Sequence, residues 1–285
     1  MTRDNEKRSG AGSQPPESAL SSLKEGESLK LSFPTPEEFV DIPSRGRFYS
    51  EGHALHNVEQ IEIRHMTARE EDILTNGALI KKGVAIDRML QNIVLSPKFK
   101  IEDMYAGDKN ALTIAARITG FGPEYTTKVR CPACQEHNDH TFDLNEAKVE
   151  SVDVLPENVV ETQTGIFKIS GLPKCDYDVE VRLMTGHDEH TLAISSEKKR
   201  KMNLPSTAIT DQLKIVIVSV GGSKNSSDIS QFVDSMHLLT VKKIKSLYRQ
   251  LTPNVDLTQD FECSNCQHQE KMEVPFSTEF FWPKQ

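Results

Sequence analysis

Cys131-Pro132-Ala133-Cys134 and Cys263-Ser264-Asn265-Cys266 are the stretches that decide how this chain is read. Each has the C-x2-C spacing with which a tight turn presents two thiolates to one metal ion. Two such pairs complete a four-thiolate tetrahedral shell, the environment of structural zinc. A shell closed by four cysteines leaves no coordination position for a substrate, so it holds a fold together and does not catalyse. The candidate metal ligands are therefore Cys131, Cys134, Cys263 and Cys266, and the expected ion is Zn2+, although four thiolates also suit iron. A second arrangement remains open, in which each pair is completed by nearby histidines, His137 or His140 for the first and His268 for the second.

Working outward, the two pairs sit at matching places in two similar halves. Ile63-Arg64-His65-Met66-Thr67-Ala68-Arg69-Glu70 aligns with Val181-Arg182-Leu183-Met184-Thr185-Gly186-His187-Asp188. In both, a strand ends at Met-Thr and the threonine opens a helix, with an acid three residues on, as in a capping box. An amphipathic helix follows in each half. Ile86, Met89, Leu90, Ile93 and Val94 mark the first; Ile209, Leu213, Val216, Ile217 and Val220 mark the second, stopped at Gly221-Gly222. A further helix is expected over about 109–119 and again over about 235–250. Then come a proline, a strand, the C-x2-C turn with a glutamine after it (Gln135, Gln267), and a return strand. The offset between halves grows from 118 at Met66/Met184 to 132 at Cys131/Cys263, which places insertions in the second half, one of them over Ser195–Leu204.

The expected fold is α+β: an internally duplicated strand–helix–helix–β-hairpin unit with a zinc-ribbon-like four-cysteine site between the halves. The expected segments are a flexible tail over 1–30, an extended interaction arm over 31–58, the first unit over 59–145, connecting strands over 146–176, and the second unit over 177–285. The tail is rich in Ser, Gly, Glu and Lys and too poor in apolar residues to offset its ordering entropy. The arm carries prolines at 34, 36 and 43, which exclude a long helix. Its candidate partner-binding residues are Phe39, Ile42, Arg45, Arg47, Phe48 and Tyr49, because arginine and aromatic side chains are favoured interface anchors. The competing reading folds the arm back onto its own domain.

Composition narrows the function classes. The chain has 285 residues, 36% hydrophobic and 6% aromatic, and a net charge of −8. Small cores gain most from a metal staple, and an acidic chain is not a default binder of phosphate backbones. No apolar run approaches the roughly 18–20 residues of a membrane span, and no secretory signal is read at the N-terminus. Five cysteines, four of them in metal-type pairs, fit a reducing compartment; Cys175 reads as an ordinary thiol. Glu70-Glu71-Asp72 reads as acid in a helix's first turn, His187 and His190 as a solvated face, and Lys198–Lys201 as a solvated loop. Gly120-Phe121-Gly122-Pro123 ends a helix where a phosphate loop would begin one. No nucleophile–base pair or open metal site is present, so no enzyme is expected.

Ile42-Pro-Ser-Arg-Gly-Arg-Phe-Tyr49, Ile61 to Thr75, Leu79-Ile-Lys-Lys-Gly83, Gly107-Asp-Lys-Asn-Ala111 and Ala116-Arg-Ile-Thr-Gly120 together resemble the baseplate (hub) proteins of T4-type contractile-tailed bacteriophages. The resemblance is close over 40–145 and looser over 146–285. It implies a virion structural protein of the tail baseplate, made and assembled in the host bacterial cytoplasm. Its partners would be other baseplate and tail subunits, with no small-molecule substrate and no membrane. It also implies structural zinc knuckles at the four cysteines. Two alternatives stay open: an assembly chaperone not retained in the virion, and a zinc-dependent nucleic-acid adaptor.

Overall fold

In the computed structural model, residues 35–96, 98–275 and 280–281 are described. The expected tail over 1–30 and the first residues of the arm lie outside them. The described residues from Pro36 onward make one compact unit.

Gln60–Arg64 (β2) alternates strictly, with Ile61 and Ile63 turned inward. It pairs antiparallel with Glu37–Asp41 (β1) on one side and Val94–Ser96 (β3) on the other. Ala68–Leu74 (α1) starts at Thr67, whose backbone N–H donates to the Glu70 carboxylate at 2.8 Å. Gly77–Lys82 (α2) is capped by Asn76 and ends on Gly83 in the left-handed region. Ala85–Ile93 (α3) buries the stripe Ala85, Met89, Leu90 and Ile93, as its 3.6-residue period requires. Ala106–Phe121 (α4) then leads into a hairpin of Glu124–Arg130 (β4) and His137–Asp143 (β5).

The connecting region contains Lys148–Glu150 (β6), Val159–Gln163 (β7) and Ile166–Ile169 (β8). Val179–Arg182 (β9) pairs with β8 and begins the second half. Gly186–Lys201 (α5) opens at Thr185, where Asp188 closes a second capping box. Ala208–Val216 (α6), Ile217–Val220 (β10), Ser226–Ser235 (α7) and Leu238–Leu251 (α8) follow. Asn254–Asp256 (β11) pairs with β6, and Thr258–Glu262 (β12) forms the second hairpin with Gln269–Glu273 (β13). The larger sheet has the order β10-β9-β8-β7. The class is α+β, with eight α-helices among the described residues and several small antiparallel sheets.

Four features differ from the reading of the sequence. The apolar periods that ran to Val94 and Val220 are cut short, because the chain passes from helix to strand without a loop. Val94 pairs with Ile63, and Ile217 with Val181; β-branched side chains suit the pleated surface better than a last helical turn. The segment 226–235 is a helix of its own, capped by Asn225, and the next helix begins at Leu238 instead of Ser235. The basic run Lys198–Lys201 forms the last turn of α5, where cations face the negative end of the helix dipole, and is not a loop. Two short helices, α1 and α2, lie between Thr67 and α3, whereas the single α5 lies between Thr185 and α6.

Two hydrophobic cores result, and they interlock. The first gathers β2, α3, α4 and the first hairpin, together with Val255, Leu257, Phe261, Cys263 and Val274 from the far end of the chain. The second gathers β8, β9, α6, α7 and α8, together with Phe48 from the arm. Gly107 at the start of α4 lies so close to Pro253 that a Cβ there would sit 1.9 Å from the Pro253 carbonyl oxygen.

Candidate metal centre

The two hairpins carry the same turn. In the first, the Cys131 N–H donates to the Glu136 carbonyl and the Gln135 N–H to the Cys131 carbonyl, both at 2.9 Å. In the second, the Cys263 N–H donates to the His268 carbonyl and the Gln267 N–H to the Cys263 carbonyl, again at 2.9 Å. Gln135 and Gln267 both take positive φ, 66° and 58°. The glutamine that follows each cysteine pair in sequence is thus the left-handed residue that closes the turn.

These turns bring all four sulfurs together. Cys131 and Cys266 are 3.7 Å apart, as are Cys134 and Cys263, and the four ligand atoms lie within 4.8 Å of one another. A regular tetrahedron with metal–sulfur bonds of about 2.3 Å has edges of about 3.8 Å. The donor set and its spacing therefore fit a tetrahedral thiolate-bound ion. Cys131 and Cys263 are fully buried, Cys134 half-buried and Cys266 exposed. The backbone N–H groups of Cys266 and Asn265 draw the Cys263 thiol below its ordinary value, against its desolvation. None of the three histidines joins the cluster. His140 packs its ring on Phe142 and Phe261, and His268 lies 3.2 Å from Glu270. Cys175 stands apart, its thiol 3.4 Å from the Tyr177 carbonyl.

The hairpins are also joined by side chains that the sequence did not single out. Asn138 is buried on the inward face of β5. Its Oδ1 accepts from the Ser264 hydroxyl at 2.6 Å, the Ser264 N–H at 3.0 Å and the Cys263 thiol at 3.5 Å. Its Nδ2 donates to the Glu136 carbonyl at 3.2 Å. One amide therefore ties the second knuckle to the strand behind the first. Below it, Gln259 bonds the backbone of Asp143 twice, accepting from its N–H at 3.0 Å and donating to its carbonyl at 2.6 Å. The available signal for Asn138 is an amide at an inward position of an alternating strand, which must find partners when buried.

The arm is held from within. Arg45 and Gly46 both take positive φ, and the Ser44 N–H and hydroxyl donate to the two oxygens of Asp108 at 2.8 and 2.6 Å. The Tyr49 hydroxyl donates to the same carboxylate at 2.7 Å and accepts from the Tyr105 N–H at 2.9 Å. Burial pushes Asp108 up, and the bonds from Ser44 and Tyr49 oppose that rise. Burial, with Asp108 alongside, also pushes the Tyr105 phenol up to about 12. Ile42 and Tyr49 are buried in the first core and Phe48 in the second. Arg45 pairs with Asp153 at 3.2 Å and Arg47 with Glu161 at 3.3 Å, so both reach the connecting region. Of the six arm residues, Phe39 alone is an exposed apolar side chain, at 63%.

The Met-Thr motifs also coincide in detail. Arg64 forks onto both oxygens of Glu70 at 2.9 and 2.7 Å, and Arg182 onto both oxygens of Asp188 at 2.6 and 2.8 Å. In each case the same acid accepts from the capping threonine's N–H. Among the described residues no helix is long and apolar enough to cross a membrane.

Comparison with known proteins adds one finding. The family model described as T4 bacteriophage base plate protein matches residues 35–282. Searches of curated proteins and of solved structures returned no match.

Proposed function

We propose, from the premise that the chain belongs to the T4 bacteriophage base plate protein family, that it is a structural component of the hub region of a contractile-tail baseplate. It works through contacts with other baseplate and tail subunits, in the tail of the virion. The family match over residues 35–282 carries this reading. Structural zinc at Cys131, Cys134, Cys263 and Cys266 stabilises it, and what supports zinc is the set of four sulfurs within 4.8 Å of one another, two of them on fully buried cysteines. Iron is the other ion such a set accepts.

The chain is a duplicated unit. The matched arginine forks at Glu70 and Asp188 and the matched knuckle turns support this. The metal then fixes how the two hairpins meet. In the arm, Phe39 and the exposed parts of Arg45 and Arg47 meet a neighbouring subunit, while Ile42, Phe48 and Tyr49 hold the arm in shape.

Peptide mass spectrometry of purified virions and of isolated baseplates tests the reading. Peptides of this chain in both, at a fixed ratio to other baseplate proteins, support a structural role. Their presence in assembly intermediates alone would make the protein an assembly factor.

A further inference from the structure

The four sulfurs of the candidate metal centre are not equivalent. The first cysteine of each pair, Cys131 and Cys263, is fully buried. The second of each reaches solvent, Cys134 half-buried and Cys266 exposed. Sulfur contact runs from one hairpin to the other. The Cys266 sulfur lies 3.7 Å from that of Cys131, and the Cys134 sulfur 3.7 Å from that of Cys263. Each accessible sulfur therefore faces the buried sulfur of the opposite hairpin.

This arrangement sets a thiolate that meets an oxidant beside one that resolves the product. A cysteine bound to a metal is already a thiolate. It reacts with a peroxide according to its exposure, and a second thiolate within reach turns the product into a disulfide. With a disulfide bond of about 2.0 Å, each cross pair has to draw in by about 1.7 Å. The hairpins are also tied without the sulfurs, through Asn138 to Ser264 and through Gln259 to Asp143. Those bonds keep the partners opposite each other while the ligands change.

Which sulfurs join decides what the fold keeps. A link inside one C-x2-C pair spans three residues and leaves the hairpins unjoined. Links across the hairpins span 135 and 129 residues. The restriction that a cross-link places on the unfolded chain grows with the loop it closes.

We propose that the four-cysteine site is a redox-convertible staple, in which a peroxide produces the cross-hairpin disulfides Cys131–Cys266 and Cys134–Cys263 and these take over the joining of the hairpins as the metal leaves. The Cys266 thiolate attacks one oxygen of the peroxide. The O–O bond breaks, hydroxide leaves, and Cys266 carries a sulfenic acid. The Cys131 thiolate then attacks that sulfur; the S–S bond forms, the S–O bond breaks, and a second hydroxide leaves. Cys134 and Cys263 react in the same way. Each pair gives up two electrons to one peroxide, and after both reactions no thiolate is left to hold a metal. The occasion for the change rests on the baseplate reading above, in which the chain is made in a reducing cytoplasm and works outside it. The pairing of the sulfurs does not rest on it.

The purified full chain, loaded with zinc, is treated with increasing hydrogen peroxide. Zinc release is read with a chromogenic chelator, and linkage by peptide mapping without reduction after alkylation. Tm is compared for the oxidised, the zinc-loaded and the chelated reduced protein. Zinc should be lost at about two peroxides per chain, one for each disulfide. The map should join Cys131 to Cys266 and Cys134 to Cys263, and the oxidised chain should melt above the chelated reduced one. Links within the pairs, sulfinic or sulfonic acids in place of disulfides, or an oxidised chain melting no higher than the chelated reduced one would overturn the proposal. A chain that binds no zinc would remove the zinc reading, and the map of the metal-free chain would still decide the pairing. Virions are mapped in the same way. Cross-linked peptides are expected there; four unlinked cysteines in the particle would overturn the conversion, and absence of the chain would remove the baseplate reading and leave the pairing to the purified protein.

Discussion

At Asp108 three donors converge on a carboxylate with no exposed surface, and they tie the arm to α4. Asp108→Asn turns one accepting oxygen into a donor that faces donors already in place. It should cost about 1–3 kcal/mol in urea unfolding. Glu70 is likewise an acid with no exposed surface. Burial raises it, but the bonds from Arg64, Thr67 and Asn92 outweigh that and hold it at about 2, below its ordinary 4.5. An acid depressed in the folded state stabilises above its unfolded value and loses that contribution as pH falls through the folded one. Stability measured by denaturant should therefore decline between pH 4.5 and about 2, and the decline should be shallower in Glu70→Gln. Asn138→Ala frees Ser264 and half of the second knuckle, so metal affinity in chelator competition should drop by about 10- to 100-fold. Of these roles only Glu70's bond to the capping Thr67 was legible in the sequence; the fork from Arg64 and the ties at Asp108 and Asn138 were not. Ser44 lies 64 residues from Asp108, and Ser264 lies 126 from Asn138; periodicity reports which face a residue is on, not who waits there. Glu70 reads as a capping-box and helix-dipole acid, and its arginine partner is missed because it sits on a strand.

Elements were legible where the signal was local. The Met-Thr caps, the amphipathic stripe of α3 and both cysteine hairpins stand where spacing alone puts them. The passage from α3 into β3 and from α6 into β10 was not, because Val94 and Ile217 satisfy the helical period and the strand equally well. Only pairing with β2 and β9 decides between them. The turn of the arm depends on Gly46, which has φ of +70° and would place a Cβ 2.3 Å from the Val58 nitrogen. Gly46→Ala should destabilise the protein by more than about 1 kcal/mol in thermal or urea unfolding, since backbone and space both oppose it.

For the whole molecule, the two cores exchange parts. The second knuckle belongs to the first core through Phe261 and Cys263, and the arm places Phe48 in the second. A chain threaded this way has few independent pieces, and a metal held by both cysteine pairs, on hairpins more than a hundred residues apart, would restrict the unfolded state strongly. Cys131→Ser should abolish tight metal binding and lower stability by roughly several kcal/mol, read as a fall in Tm. The central claim, one metal shared by both cysteine pairs, is tested most directly by elemental analysis of the purified native protein with thiol titration beside it. One zinc per chain is expected, with all four thiols becoming titratable only after chelation. Two metals per chain, or none with the four thiols free from the start, would contradict it.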